Sequence, residues 1–184
     1  MTARWVATTQ RVKGTVMDSD QIRRSLSRIA HEIVERNRGV EDVVLVGIYS
    51  KGDLLAGRLA ALLGQMEGAE VQFGRLDTSR HRDDLHLRAP GKPRPSDVPD
   101  INGKTVVLVD DVIHHGRTAR AALDALVELG RPRAVQLAVL VDRGHRELPI
   151  RPDYIGKNAA TSETQQIAVL LDEVEGVDQA VILG

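Results

Sequence analysis

The segment Val106–Thr118, VVLVDDVIHHGRT, limits what this chain can be more than any other stretch. Four apolar residues end in two adjacent acids. An apolar pair follows, and a glycine and a threonine then open a run with helical spacing. Continuous apolarity over a strand's length suits a strand buried on both faces of a parallel sheet. In open α/β sheets the ligand sits beyond the carboxyl ends of the strands, which is where Asp110 and Asp111 fall. The backbone N–H groups of His115–Thr118 can wrap an anion, and the start of a helix adds partial positive charge there. Gly116 permits close backbone approach, and Thr118 can donate its hydroxyl to a phosphate oxygen. Two carboxylates beside such a nest suit the adjacent hydroxyls of a sugar and can assist Mg²⁺. An isolated pair of aspartates would fit a strand–turn–helix with solvated acids equally well; the whole pattern points to a ribose-phosphate site. Neither G-x-G-x-x-G nor G-x-x-x-x-G-K-[ST] occurs, which sets aside dinucleotide and Walker-type sites.

The rest of the chain reads as an α/β alternation. Asp18-Ser19-Asp20 offers helix caps, and Ile22, Leu26, Ile29 and Ile33 repeat at helical spacing, predicting a helix over 19–37 closed by Gly39. Val43–Ile48 is a buried strand and residues 49–52 a turn. Asp53 can cap a helix carrying Leu54, Leu55, Leu59, Leu62 and Leu63, and Glu70–Phe73 is a second strand. Residues 77–103 are rich in Asp, Arg and His, with four prolines between Pro90 and Pro99. A long segment without apolar period inside a compact domain is a lid or an insertion. Lys104–Val109 is a third strand, 117–129 a helix closed by Gly130, and Ala134–Val141 a fourth strand. Short extended pieces follow at 153–155, 166–171 and 180–183. This order predicts a single α/β domain over 1–184, with an open, mainly parallel sheet flanked by helices.

Composition closes off other classes. With 184 residues and a net charge of −1, bulk positive charge is not what holds a partner. The absence of cysteine excludes disulfides, zinc–thiolate sites and thiol nucleophiles. Aromatic residues make up 2%, too few for a ring-stacking single-strand binder. No apolar run suits a signal peptide or a membrane span, so a cytoplasmic protein without membrane contact is expected.

The loop at 106–118 resembles the phosphoribosyl-pyrophosphate (PRPP) motif of the type I phosphoribosyltransferases. LVGI followed by Gly52 is similar to that superfamily's pyrophosphate loop, and RLDTSRHRDDL at 75–85 to the start of its flexible lid. LVDRGHRELPIRPDYIGKNAATS at 140–162 narrows the resemblance to the bifunctional pyrimidine-operon attenuator/uracil phosphoribosyltransferase family. The likeness runs from about Asp18 to Val181. It implies a type I phosphoribosyltransferase fold with a small hood near 142–165 and a lid near 77–103. It also implies conversion of uracil and PRPP to UMP and pyrophosphate with Mg²⁺, UMP-dependent binding of pyrimidine-gene leader mRNA, and a homodimer or tetramer.

The resemblance also assigns residues. Asp110, Asp111, Val112, Ile113, His114, His115, Gly116, Arg117 and Thr118 would hold PRPP or the nucleotide. Ser50, Lys51, Gly52 and Arg82 would hold pyrophosphate, with a strained or cis Ser50–Lys51 peptide. Arg143, Tyr154 and Ile155 would recognise the base, the latter two from the hood through their backbone groups; Tyr154-Ile155 fits a small edge strand packing a core as well. By spacing, Arg24, Ser27, Arg28 and His31 share one stripe of the first helix, with Arg36 near its end. That stripe fits a solvated amphipathic face as well; the resemblance makes it, with His145, Arg146, Arg151 and Lys157, a basic RNA-binding concavity. Substitution of Arg28 or Arg146 is then expected to weaken RNA binding and spare UMP binding.

Two loops depart from the family pattern. His114-His115 stands where the family has Tyr-Thr, removing a hydroxyl donor to the 5′-phosphate. Ser50-Lys51 replaces Thr-Arg, and lysine lacks arginine's bidentate fork. Together these predict a weaker transferase that still binds nucleotide. A plain uracil or purine-base salvage enzyme, and a ligand sensor without catalysis, remain the competing readings.

Overall fold

The computed structural model describes residues 11–83 and 94–184. The middle of the expected lid and the N-terminal segment lie outside the described residues. Eight strands and four helices follow one another as β1 (Val12–Met17), α1 (Ser19–Asn37), β2 (Val43–Ile48), α2 (Gly52–Glu67), β3 (Phe73–Leu76), β4 (Thr105–Ile113), α3 (Arg117–Leu129), β5 (Ala134–Asp142), β6 (Tyr154–Asn158), β7 (Gln166–Leu170), α4 (Asp172–Glu175) and β8 (Gln179–Leu183). A single 3-10 turn spans Ser79–His81.

The large sheet has the order β3-β2-β4-β5-β6, and every pairing in it is parallel. Its centre is legible in the apolar runs: all six residues of β2 are buried, as are the first five of β4. Helices cover both faces. Ile22, Ile29 and Ile33 of α1 and Leu55, Leu59 and Leu63 of α2 pack on one face. Ala119, Ala122, Ala125 and Leu126 of α3 pack on the other. Helix α1 begins at a complete capping box: the Asp18 carboxylate accepts from the Gln21 N–H, and the Gln21 side chain accepts from the Asp18 N–H. It ends with Arg38 in the left-handed region at φ 57, followed by Gly39.

A second sheet, β1-β8-β7, is antiparallel and was not foreseen as a unit. It joins the two ends of the described chain, since β1 pairs with β8 and β8 with β7. Met17, Val169, Leu171 and Ala180 merge its inner face with the core under α1 and α2.

Several boundaries differ from expectation for local reasons. The strand expected at 70–73 lies at Phe73–Leu76, in register with Leu45–Ile48; Gly74 and Arg75 hide its apolar pattern, yet Gly74 and Leu76 are the buried positions. Strand β4 does not stop before the acids. It pairs with β5 as far as Ile113↔Asp142, so Asp110 and Asp111 sit within a hydrogen-bonded strand. Asp53 is not a cap: it lies in the first turn of α2, buried, with Lys51 at the cap position and no side-chain cap bond. The expected lid ends earlier than residue 103, because Arg75 bridges Asp97 and Ile101 is 1% exposed in the α3-side core.

Candidate functional site

The carboxyl ends of the central strands open into a cavity of about 500 Å³. It is lined by Tyr49–Lys51, Arg82, the whole run Asp110–Ala119, Arg143 and, from the hood, Glu163, Gln166 and Ile167. The expected nucleotide residues are therefore brought together with three of the four expected pyrophosphate residues. Gly52 stands just outside the lining, buried at the start of α2. A Cβ there would come within 2.2 Å of the Val109 carbonyl oxygen, so only glycine lets this loop rest on the end of β4. The cis peptide in this loop is Tyr49–Ser50, one bond before the one expected.

Each acid holds the backbone N–H of the residue after it. Asp110 accepts from the Asp111 N–H at 3.0 Å, and Asp111 from the Val112 N–H at 2.8 Å. Burial, joined by the negative charge of Asp111, pushes the Asp110 carboxyl well above the usual carboxylate range. Burial also raises Asp111. Such a pair favours a bound cation or hydroxyl donors that relieve it. Among the described residues no group of three His, Asp or Glu is gathered to hold a metal alone. Two hard carboxylates completed by substrate oxygens and water form a donor set that suits Mg²⁺.

Gly116, in the left-handed region at φ 92, starts α3 without a side-chain cap. The N–H groups of the helix's first turn thus point at the cavity. Arg82 donates to the Thr118 hydroxyl at 3.0 Å, drawing the edge of the lid onto this nest. The His114 and His115 rings lie 3.5 Å apart, and His145 stands edge-on to His114 at 5.9 Å. Burial, and then Arg143, push His114 down to about 4, so it is a neutral ring at neutral pH.

At the opposite end the Lys51 ammonium is paired with the Glu175 carboxylate of α4. Glu175 also accepts from the Leu171 N–H at 2.8 Å. Beside it, Arg58 of α2 grips Glu173 and Asp178. The C-terminal segment is thereby fastened to the Lys51 side of the cavity, a contact that spacing in the sequence could not reveal.

Base recognition needs correction. The Tyr154 ring is 2% exposed in the core under α1, with its hydroxyl donating to Gln136 at 2.7 Å. It pairs with Ala138, four residues before the carboxyl end of β5, and neither it nor Ile155 lines the cavity. The groups that do stand there are Glu163, Gln166 and Ile167, together with Arg143. Arg143 is buried and donates to the Thr161 hydroxyl at 3.1 Å and the Ser162 carbonyl at 3.3 Å, positioning the hood loop. Glu163 and Gln166 carried no signal beyond their place just before and at the start of a short extended piece.

The expected RNA-facing residues are mostly engaged within the chain. Arg28 donates to the Ile155 and Gly156 carbonyls, Arg36 to Asp153, and Lys157 to the Val16 carbonyl. His31 meets the Ser27 carbonyl, and His145 the Thr161 carbonyl. Arg24 and Arg151 are exposed and make no hydrogen bond or ion pair among the described residues. Arg146 is half-buried and donates to the carbonyls of His114 at 2.8 Å and Ile150 at 2.9 Å. It belongs to a zipper in which the N–H groups of Glu147 and Leu148 reach the His115 carbonyl and Arg117 pairs with Glu147. Substituting Arg146 therefore disturbs the nucleotide loop as well as the surface, which the sequence reading did not anticipate.

Known proteins resemble this chain over most of its length. The family model for the phosphoribosyl transferase domain matches residues 15–172. "Bifunctional protein PyrR" of Chloroflexus aurantiacus is 58% identical over 170 residues, covering 91% of this chain and 93% of its own. The protein of the same name from Bacillus cereus is 55% identical over 174 residues, covering 92% and 97%. Among solved structures, hypoxanthine phosphoribosyl transferase of Trypanosoma cruzi superposes with a TM-score of 0.72 at 19% identity, covering 94% of this chain and 92% of its own; that likeness concerns the fold.

Proposed function

This chain belongs to the phosphoribosyl transferase family and, within it, to the PyrR group, and from that premise we propose a pyrimidine-responsive RNA regulator that is also a uracil phosphoribosyltransferase. The observation that carries the catalytic half is the meeting of Asp110 and Asp111, the Gly116 nest and Lys51 around one cavity. The regulatory half is supported by relatives whose name calls them bifunctional, at 55–58% identity over nearly their full length.

Each residue then has a task. The N–H groups of His115–Thr118 and the Thr118 hydroxyl hold the 5′-phosphate. Asp110 and Asp111 accept from the ribose hydroxyls, and their negative charge favours the cation-like ribose formed as the anomeric bond breaks. Ser50, Lys51 and Arg82 face the departing pyrophosphate, whose charge Mg²⁺ neutralises when bound with PRPP. Arg143, Gln166 and Ile167 face the base, and the buried guanidinium favours a partner rich in carbonyl oxygens such as uracil. Positioning of two substrates in one closed cavity supplies much of the rate. Neutral His114 lies over the ligand as an uncharged ring.

Regulation follows if UMP filling the cavity stiffens the loop zipped to residues 144–151. Residues 144–151 hold the exposed His145 and Arg151 and the half-buried Arg146, which with Arg24, Ser27, Arg28, His31, Arg36 and Lys157 would make up the RNA-facing surface. The reading is tested by incubating the protein with uracil, PRPP and Mg²⁺ and measuring UMP and pyrophosphate, and by filter binding of a pyrimidine-gene leader transcript with and without UMP. Product formation with UMP-strengthened RNA binding is expected. Product without RNA binding would reduce the protein to a salvage enzyme, and neither would overturn the reading.

A further inference from the structure

A second cavity of about 500 Å³ lies behind the first. The two share a single residue, Arg143. The second cavity has apolar walls at Pro152, Ile155 and Ala160, and polar groups at Asn158, Arg151 and the ion-paired Asp142–Arg146. An apolar slot with polar groups around it matches a nucleobase, whose faces are apolar and whose edge makes hydrogen bonds. The Asn158 side chain is exposed and makes no hydrogen bond among the described residues. Its amide offers one acceptor and two donors to a base edge. Arg151 is exposed beside it, and a guanidinium can stack on a base or take its phosphate. The charge of the lining is of the right sign: three guanidinium groups, Arg143, Arg146 and Arg151, stand against one carboxylate, Asp142.

The connection to the first cavity is equally direct. His145 holds φ 57, a left-handed conformation that costs a non-glycine residue energy and clusters at functional positions. Its ring is fixed on the Thr161 carbonyl at 2.6 Å, on the hood loop that Arg143 also grips. Arg146 lines the second cavity and donates to the carbonyl of His114, which lines the first.

Resting on the RNA-binding reading above, we propose that this second cavity is a subsite for one unstacked base of the bound RNA, and that Arg146 links its occupancy to nucleotide in the first cavity. Coupling of two sites is reciprocal: UMP tightens RNA binding by the factor by which RNA tightens UMP binding.

The experiment fills or blunts the subsite without touching the nucleotide cavity. Ala160→Trp fills it from an exposed position, and Asn158→Ala removes the base-edge contact. Leader-transcript affinity is measured by filter binding at fixed salt, with and without UMP, beside UMP formation from uracil and PRPP. Both variants are expected to keep wild-type UMP formation, which also reports that they fold. RNA binding should weaken by about tenfold or more in Ala160→Trp, the scale of losing one docked base, and by a smaller factor in Asn158→Ala. Arg146→Gln should lower the factor by which UMP tightens RNA binding. Unchanged RNA affinity in both cavity variants overturns the proposal while the regulator reading stands. Absence of RNA binding by the wild type overturns both. Two UMP sites in the wild type and one in Ala160→Trp, with RNA affinity intact, would make the cavity a nucleotide effector site and overturn the proposal as well.

Discussion

The two ends of the main cavity are made of different material. At the Gly116 end, backbone does the binding: a strand end, a left-handed glycine and the first turn of α3, locked by the backbone bonds of Glu147 and Leu148 to the His115 carbonyl. At the Lys51 end a side chain does it, and it is already engaged: Lys51 is paired with Glu175. Backbone donors survive side-chain substitution, so replacing Tyr-Thr by His114-His115 leaves the phosphate nest standing. The pyrophosphate end has no such reserve. Lysine in place of arginine presents fewer fixed donors, and here it must leave Glu175 to meet a ligand. On the proposed reading, nucleotide retention and turnover are set by separate ends of the cavity.

The sharpest way to break this division is between the ends, at the acids. Asp110→Asn should lower kcat/KM for UMP formation by about 10²–10³-fold, the scale of removing one preorganised charge-stabilising group. It should also raise the melting temperature at neutral pH. The folded protein holds Asp110 raised above its unfolded value, so it binds the proton more tightly than the unfolded chain does. That group's share of stability therefore falls as pH rises from the unfolded carboxylate value through the raised folded one. Melting curves across that window should slope less in the variant.

At the backbone end, Gly116→Ala should weaken UMP binding about tenfold by titration calorimetry, since a left-handed alanine costs ~1–2 kcal/mol. The new Cβ would lie 3.5 Å from Leu148, so strain rather than collision is the cause. At the side-chain end, Glu175→Gln frees Lys51. The KM for PRPP should fall about two- to fivefold, in keeping with the ~1 kcal/mol or less of a partly exposed ion pair, and UMP affinity should stay unchanged. If UMP affinity moves instead, the two ends are not separate.

Smallest is Tyr154→Phe. The KM for uracil should not change, because the ring lies in the core, whereas stability should drop by ~1 kcal/mol with the loss of the buried hydrogen bond to Gln136. A change in uracil KM would return Tyr154 to the base site.

How much of this could be read in the sequence follows the same line. Elements whose cause is local were legible: the helix cap at Asp18, the apolar runs of β2, β4 and β5, and the glycine before α3. The loop that opens α3 at the cavity was legible because one contiguous segment builds it. What depends on distant segments meeting was not. Glu175 reaches Lys51 across 124 residues, and the β1-β8-β7 sheet joins the ends of the chain. Tyr154 and Ile155 were placed at the base, but the register of β6 against β5 sets them beside Ala138 and Val139, four and three residues before the end of β5. Gln166 and Ile167 come to the cavity through that second sheet, which no periodicity announced.

The central claim, that the backbone end keeps nucleotide while the altered side-chain end limits turnover, is tested most directly by determining kcat for UMP formation and Kd for UMP on the same wild-type preparation. Firm UMP binding with a kcat well below the ~10 s⁻¹ of a median enzyme is predicted. Turnover at or above that level would contradict the account, as would loss of UMP binding.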